Sequence, residues 1–320
     1  MSAPTSAPML SARDLSRWYG EVIGLNAVTF DTRSPIVGLL GPNGSGKSTM
    51  LNLVTGQLKP SGGELRVLGE TPWGNRPLMA RVGFVPEIDT FWEWMTGLDF
   101  VTRMARLHGF EPGEAAKRAQ GALREAQLQE EAWHRPLGTY SRGMRQKTKI
   151  AQAIVHDPQL LVLDEPLTGA DPVSRRHLNE VVRARAKAGA RVIFSSHILH
   201  EVEALTEEVL VLSRGRLVAR GRVADIRALI DEHPHRIRMV VSDPRLVARE
   251  VLAEKGVVSV KLGPRPDELV VETREPDAFH ARVPALCLDK GLRLTHLSAS
   301  DESLQAVFDY LFEGRREADA

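Results

Sequence analysis

Residues 36–49, IVGLLGPNGSGKST, restrict what this chain can fold into more than any other stretch. The apolar run stops at Gly41, and a glycine-rich turn leads into TMLNLVTGQL, whose apolar residues recur at helical spacing. Strand, glycine turn, helix is the context in which the pattern G-x-x-x-x-G-K-S/T holds phosphate. Gly41, Gly46, Lys47 and Ser48 fill its fixed positions. Glycines let the turn curl until backbone N–H groups converge on phosphate oxygens, and the helix behind adds the positive end of its dipole. The run Gly41, Pro42, Asn43, Gly44, Ser45, Gly46, Lys47, Ser48 and Thr49 is therefore expected to cradle a nucleotide. Lys47 would neutralise its β- and γ-phosphates, and Ser48 would ligate Mg²⁺. A plain flexible connection is the alternative, and it leaves the lysine and both flanks unexplained.

Such a turn needs a sheet. SPIVGLL (34–40), QLLVLD (159–164), RVIFSS (191–196) and EVLVLS (208–213) are unalternating apolar runs, the pattern of strands buried on both faces. Helical segments between them imply an α/β fold with a parallel core. LSARDL, LNAVTF and GELRVLG, within about residues 10–70, predict an antiparallel β flank. LDFVTRMARLHG and EAAKRAQGALREAQL predict a helical insert at about 88–157. MSAPTSAPML reads as a disordered tail over residues 1–9, leaving a main domain at 10–230. DEHPHR (231–236) reads as a linker. Beyond it, RIRMVVS, PRLVAREVLAEKG, VVSVKLG, DELVVET, DAFHARVPALCLDKG and LRLTHLS alternate as β-α-β-β-α-β. That order predicts a small α+β ferredoxin-like domain at about 236–320, closed by the helix SLQAVFDYLFEG. Pro284 is expected to kink or break the second of its helices.

The run QLLVLDEP ends in paired carboxylates, which a parallel strand presents at the sheet's C-terminal edge beside the phosphate turn. Asp164 would bind the Mg²⁺ hydration shell, and Glu165 would orient and deprotonate an attacking water. Close like charges disfavour ionising both, and Mg²⁺ would counter that for Asp164. Two solvated turn acids are the bland alternative, and the phosphate turn argues against it. RVIFSSH puts His197 at a third strand tip, where the γ-phosphate would lie. TYSRGMRQK (139–147) offers a serine, a glycine and three cations ahead of another apolar run, a second place to hold an anion. Ser141 can cap the helix that follows, and Gly143 lets its backbone come close.

In that order and spacing these segments resemble the ATP-binding cassette (ABC) ATPases, over about residues 10–225. The resemblance implies a P-loop NTPase core, ATP as substrate and Mg²⁺ as cofactor. It also implies two cassettes paired head to tail, as a homodimer or with a related ATPase subunit. Ser141 and Gly143 would then cap the γ-phosphate held by the other copy's P-loop. TYSRGMRQK answers to the family's L-S-G-G-Q, with Tyr140, Arg142 and Met144 replacing Leu, Gly and Gln. Whether Arg142 meets phosphate or solvent is open. GFVPE (83–87) places Glu87 where the family has a glutamine that contacts Mg²⁺ or the lytic water. A changed metal or pH dependence is implied, unless Glu87 merely faces solvent. TGADP (168–172) sets Asp171 at the dimer seam, and also as a helix cap ahead of Pro172. SRWYG (16–20) offers Tyr19 for stacking on adenine, with Trp18 as the other choice. Either ring could instead fill the core.

The basic signature resembles the branch of bacterial ABC-2-type exporters whose membrane subunits are separate polypeptides. The function implied is an ATP-hydrolysing subunit, peripheral on the cytoplasmic face, powering integral membrane permease subunits by ATP-driven dimerisation. In this family the region after Glu87, DTFWEWMTGLDF (89–100), receives the permease, so Phe91, Trp92, Trp94 and Met95 would dock it. They could equally fill the insert's own core. No apolar run reaches the ~18 residues of a membrane span. The sole cysteine, Cys287, forbids an intrachain disulfide and suits a cytoplasmic home. A net charge of +1 gives no reason to expect a nucleic-acid partner. The runner-up is a soluble ABC ATPase that remodels a nucleic-acid or ribosomal complex. One P-loop, no heptad array and no basic excess speak against it.

Overall fold

The structure is a computed structural model and describes residues 8–226 and 234–299. The expected closing helix SLQAVFDYLFEG and most of the expected tail lie outside the described residues. The chain divides into two units, Met1–Val223 and Ala224–Ala320.

In the first unit, β1 (Leu10–Tyr19) and β2 (Val22–Thr32) form an antiparallel pair. Then come β3 (Ile36–Leu40), α1 (Lys47–Val54) and β4 (Gly62–Val67), and β4 returns to pair antiparallel with β1. Met9, placed in the tail by sequence, is 2 % exposed, and its N–H donates to the Thr32 carbonyl. After α2 (Arg76–Met79) and β5 (Val82–Val85), three helices follow: α3 (Gly97–Leu107), α4 (Pro112–Glu125) and α5 (Arg142–Ile154). The chain returns through β6 (Leu160–Leu163), α6 (Pro172–Lys187), β7 (Arg191–Ser196), α7 (Leu199–Glu203), β8 (Glu208–Ser213) and β9 (Arg216–Arg222).

The main sheet has the order β5-β6-β7-β3-β8-β9. Its first five strands are parallel. Every residue of β3 and β6 is buried, as their unalternating sequences require. β8 and β9 are antiparallel across Arg214–Gly215, whose φ values of 47° and 76° are those of a type I′ hairpin turn. Met50, Leu51 and Leu53 of α1 pack with Leu15, Leu25, Leu39, Leu160, Ile193 and Leu210 in one core that joins both sheets. One consequence was not legible in the sequence. The strand that ends in the acids, β6, is not next to β3, because β7 lies between them.

The second unit runs β10 (His235–Val241), α8 (Pro244–Val251), β11 (Val257–Leu262), β12 (Glu268–Thr273), α9 (Pro276–Asp289) and β13 (Leu294–Ala299). Its sheet has the order β11-β12-β10-β13, and each pairing is antiparallel. Ile237, Met239, Leu269 and Val271 pack against Val247, Val251, Phe279, Val283 and Cys287. α9 continues unbroken through Pro284, where the sequence predicts a kink or a break. Phe279, Val283 and Cys287 recur four residues apart on its buried face. Burying such side chains gains about 1.5–3 kcal/mol each, which offsets the ~3 kcal/mol a mid-helix proline costs.

Two histidines tie the helical insert together. His108 at the end of α3 stacks on His156 after α5, with ring centroids 3.7 Å apart and planes 8° from parallel. Nε2 of His156 lies 3.2 Å from the Val82 carbonyl of β5. Burial, then the neighbouring His108, pushes the His156 pKa from 6.5 down to about 4. Between those values the unfolded chain binds a proton that the folded chain refuses, so stability falls as the pH drops through that window. The urea midpoint should therefore fall between about pH 7 and about pH 5, and His156→Phe should lose much of that slope. An equal slope in the variant would place the effect elsewhere.

Candidate functional site

The turn after β3 is shaped by what a side chain would meet there. Gly46 has φ +106°, and a Cβ added to it would stand 2.5 Å from the Gly24 carbonyl and 2.9 Å from Leu25 Cδ2. Only glycine fits both the angle and the space. Gly46 is also the N-cap of α1, and no side chain caps that end. The N–H groups of the first turn of α1 therefore open into the loop. Ser45 Oγ is buried without a hydrogen-bond partner. Lys47, 6 % exposed, curls back so that Nζ donates to the carbonyls of Gly41 (2.6 Å) and Pro42 (3.1 Å).

The acids stand across β7. Asp164 and Glu165 are 5 % and 9 % exposed. Glu165 adopts φ +45°, a left-handed backbone that costs a non-glycine residue about 1–3 kcal/mol and clusters at active sites. Its N–H donates to Ser195 Oγ at 2.7 Å, and that hydroxyl donates to Asp164 Oδ1 at 2.6 Å. Glu165 Oε2 accepts from Thr168 Oγ1 at 3.0 Å and lies 2.9 Å from His197 Nδ1. Glu165 Oε1 lies 3.2 Å from Lys47 Nζ. No aligned donor reaches Oε1, so charge alone holds that contact. Lys47, Glu165 and His197 thus meet, with Asp164 joined to them through Ser195.

A second group gathers around the start of α5. Ser141 caps that helix by accepting from the Met144 N–H at 3.3 Å. A Cβ on Gly143 would lie 3.0 Å from Ser174 Oγ and 3.7 Å from Asp171 Oδ2. Asp171 caps α6, accepting from the N–H groups of Val173 and Ser174. The Ser174 hydroxyl, with these N–H groups, holds the Asp171 carboxyl below the usual carboxylate range. Arg142, left open between phosphate and solvent, donates from Nη2 to the Thr168 carbonyl at 2.8 Å. Tyr19 is half exposed, and its hydroxyl is 3.4 Å from Thr49 Oγ1 in the phosphate turn. Trp18 is also half exposed, and its backbone N–H donates to Ser61 Oγ at 3.1 Å.

Glu87 is not gathered in. Its side chain is exposed two residues beyond β5, while its carbonyl accepts from Lys149 Nζ. The aromatic stretch divides: Met95 is buried in the insert, whereas Trp92 and Trp94 are 50 % and 74 % exposed. Phe91 and Trp92 set their rings edge-on to Phe100 beside a groove of about 510 Å³ that also includes Phe84 and Met104. Ser195 and Thr168 escaped sequence reasoning. The one signal for Ser195 was a hydroxyl residue closing an otherwise apolar run next to the acid-bearing one.

The family model described as "ABC transporter" matches residues 25–168. The chain is 32 % identical to the uncharacterized ABC transporter ATP-binding protein YxlF of Bacillus subtilis, over 94 % of this chain and 98 % of that one. It is 33 % identical to the linearmycin resistance ATP-binding protein LnrL of the same organism, over 94 % and 97 %. The Nod factor export ATP-binding protein I of Ralstonia nicotianae is 35 % identical over 68 % of each chain. Among solved structures, the dimeric MJ0796, a bacterial ABC transporter cassette, superposes with a TM-score of 0.62 at 23 % identity. That likeness of fold spans 67 % of this chain and 99 % of the other.

Replacing Ser195 by alanine strands the buried Glu165 N–H, a loss worth about 1–3 kcal/mol. Urea unfolding of Ser195→Ala should show that drop. An unchanged midpoint would mean that the hydroxyl does not support the acid turn.

Proposed function

The chain belongs to the ABC transporter family of ATP-binding proteins, and on that footing we propose that it is the ATP-hydrolysing subunit of an exporter whose membrane-spanning subunits are separate polypeptides. The observation that carries this reading is the meeting of Lys47, Glu165 and His197 at the tips of parallel strands. Export and resistance names among the relatives favour outward transport. No helix among the described residues is long and apolar enough to cross a membrane, and in this reading the partner subunits supply the pathway.

The residues fit the ligands this function needs. The uncapped start of α1 and the unpartnered Ser45 hydroxyl suit phosphate oxygens. Mg²⁺ takes one or two protein ligands plus phosphates, and Ser48 and Asp164 offer such a set. Bound there, Mg²⁺ would spread the charge that builds on the phosphoryl oxygens. Lys47 exchanges Glu165 and the two loop carbonyls for the β- and γ-phosphates. Glu165, so released, accepts the proton of the attacking water while Thr168 and His197 hold its other oxygen. Tyr19 stacks on adenine. Ser141 and Gly143 cap the γ-phosphate in a second copy, and Asp171 lies at the seam. Glu87, exposed beyond β5, would add its carboxylate near the metal only by turning inward when nucleotide binds. Trp92, Trp94 and Phe91 receive the permease on the cytoplasmic face of the membrane.

Glu165→Gln should lower kcat by ~10²–10⁴-fold, the weight of a general base, while ATP still binds. Undiminished hydrolysis in a single-turnover assay would refute that role. For the assembly, a copy carrying Lys47→Ala mixed with one carrying a Gly143 substitution should regain one working centre in a pair. Co-purification with an integral membrane protein supports the transporter, and recovery of RNA or DNA instead would overturn it.

A further inference from the structure

Arg142 is the first residue of α5, and a cation there opposes the helix dipole. Nothing local favours an arginine at this position. Its guanidinium donates to the Thr168 carbonyl at 2.8 Å. The neighbouring Gly169 makes that possible. It has φ +64°, and the space a Cβ would take there is filled by the Arg142 guanidinium. Arginine and glycine are thus fitted to one another across the signature helix and the loop that follows the acids.

Thr168 has a second tie. Its hydroxyl donates to Glu165 Oε2 at 3.0 Å, and its N–H donates to the Glu165 carbonyl at 3.2 Å. The same loop is gripped one turn further on. Arg175 Nε donates to the Ala170 carbonyl at 3.0 Å, and Arg175 Nη1 lies 3.3 Å from Glu201 Oε1. Glu201 is 3 % exposed and accepts from Ser196 Oγ, next to His197, at 2.6 Å. Two arginines therefore hold carbonyls of the segment 168–170. Arg175 anchors it to the strand tip that carries His197, and Arg142 anchors it to the signature helix.

We propose that Arg142 is a positioning residue for hydrolysis: by fixing the Thr168 carbonyl it keeps the Thr168 hydroxyl on Glu165, and so sets the angle of that carboxylate to the attacking water. The inference rests on Glu165 acting as general base. Arg142 touches neither nucleotide nor water in this scheme. It makes the state of one copy's signature helix felt at the same copy's own base, within one chain.

The test uses the full chain. Steady-state ATPase assays give kcat and KM, and titration with a fluorescent ATP analogue gives Kd. Arg142→Ala should lower kcat about tenfold, since small misplacements of a reacting group cost rate, with KM and Kd within about twofold of the parent. Arg142→Lys should recover part of the loss. Thr168→Ala should show a similar loss, and the double variant should fall no further than the weaker single, the mark of one shared path. An unchanged kcat in Arg142→Ala, or multiplicative losses in the double variant, overturns the proposal. So does a rise of KM and Kd with the fall in kcat, which would put Arg142 on phosphate. If Arg142→Ala does not fold, Arg142→Gln and Thr168→Ala carry the same comparison. Full single-turnover activity in Glu165→Gln would remove the base itself, and so tells failure of that assignment apart from failure of this one.

Discussion

The strand tips are held by one buried ion pair, Lys47 with Glu165. Both side chains are 6 % exposed. Taking two charges out of water costs several kcal/mol per ion, and attraction repays it only where further hydrogen bonds satisfy what is left. Lys47 finds two loop carbonyls, and Glu165 finds the Thr168 hydroxyl beside His197. Removing either partner would leave the other charge stranded in the interior. The pair also explains why β7 ends as it does. A bulky residue at position 195 would part the turn after β3 from the turn after β6. Serine is small enough to sit between them, and its hydroxyl serves both Glu165 and Asp164.

Much of this was legible because burial leaves a plain mark in a parallel sheet. β3, β6, β7 and β8 appear as unalternating apolar runs. Runs do not record neighbours, so the place of β7 between β3 and β6 had to come from the fold. Ser195 was hidden for the same reason, since a hydroxyl at the close of a run reads only as its end. Arg142, open in sequence between phosphate and solvent, takes a partner that neither choice named, a carbonyl of the same chain. Glu87 shows that position along the chain is not orientation: it follows β5 as expected, but its side chain faces outward.

The second unit shows where a local rule yields to packing. Proline should stop a helix, and at Pro284 it does not, because the residues four apart around it are committed to the core. On β10, β11 and β12 the charges run in cross-strand pairs, Arg236 with Glu272, Arg238 with Glu268 and Lys261 with Glu272. Opposite charges facing one another across strands favour one alignment over a slipped one, since slippage by a residue would turn every side chain to the other face.

The six-stranded sheet also protects its own margins. One border is β5, only four residues long, and the other is β9, where Arg216, Arg220 and Arg222 are exposed. Arg220 is further tethered to Asp31 of β2. A short border gives an incoming strand little to grip, and a cationic one repels a copy of itself. Stray association by sheet extension is thereby discouraged on both flanks, and crowded molecules are less prone to zip together edge to edge.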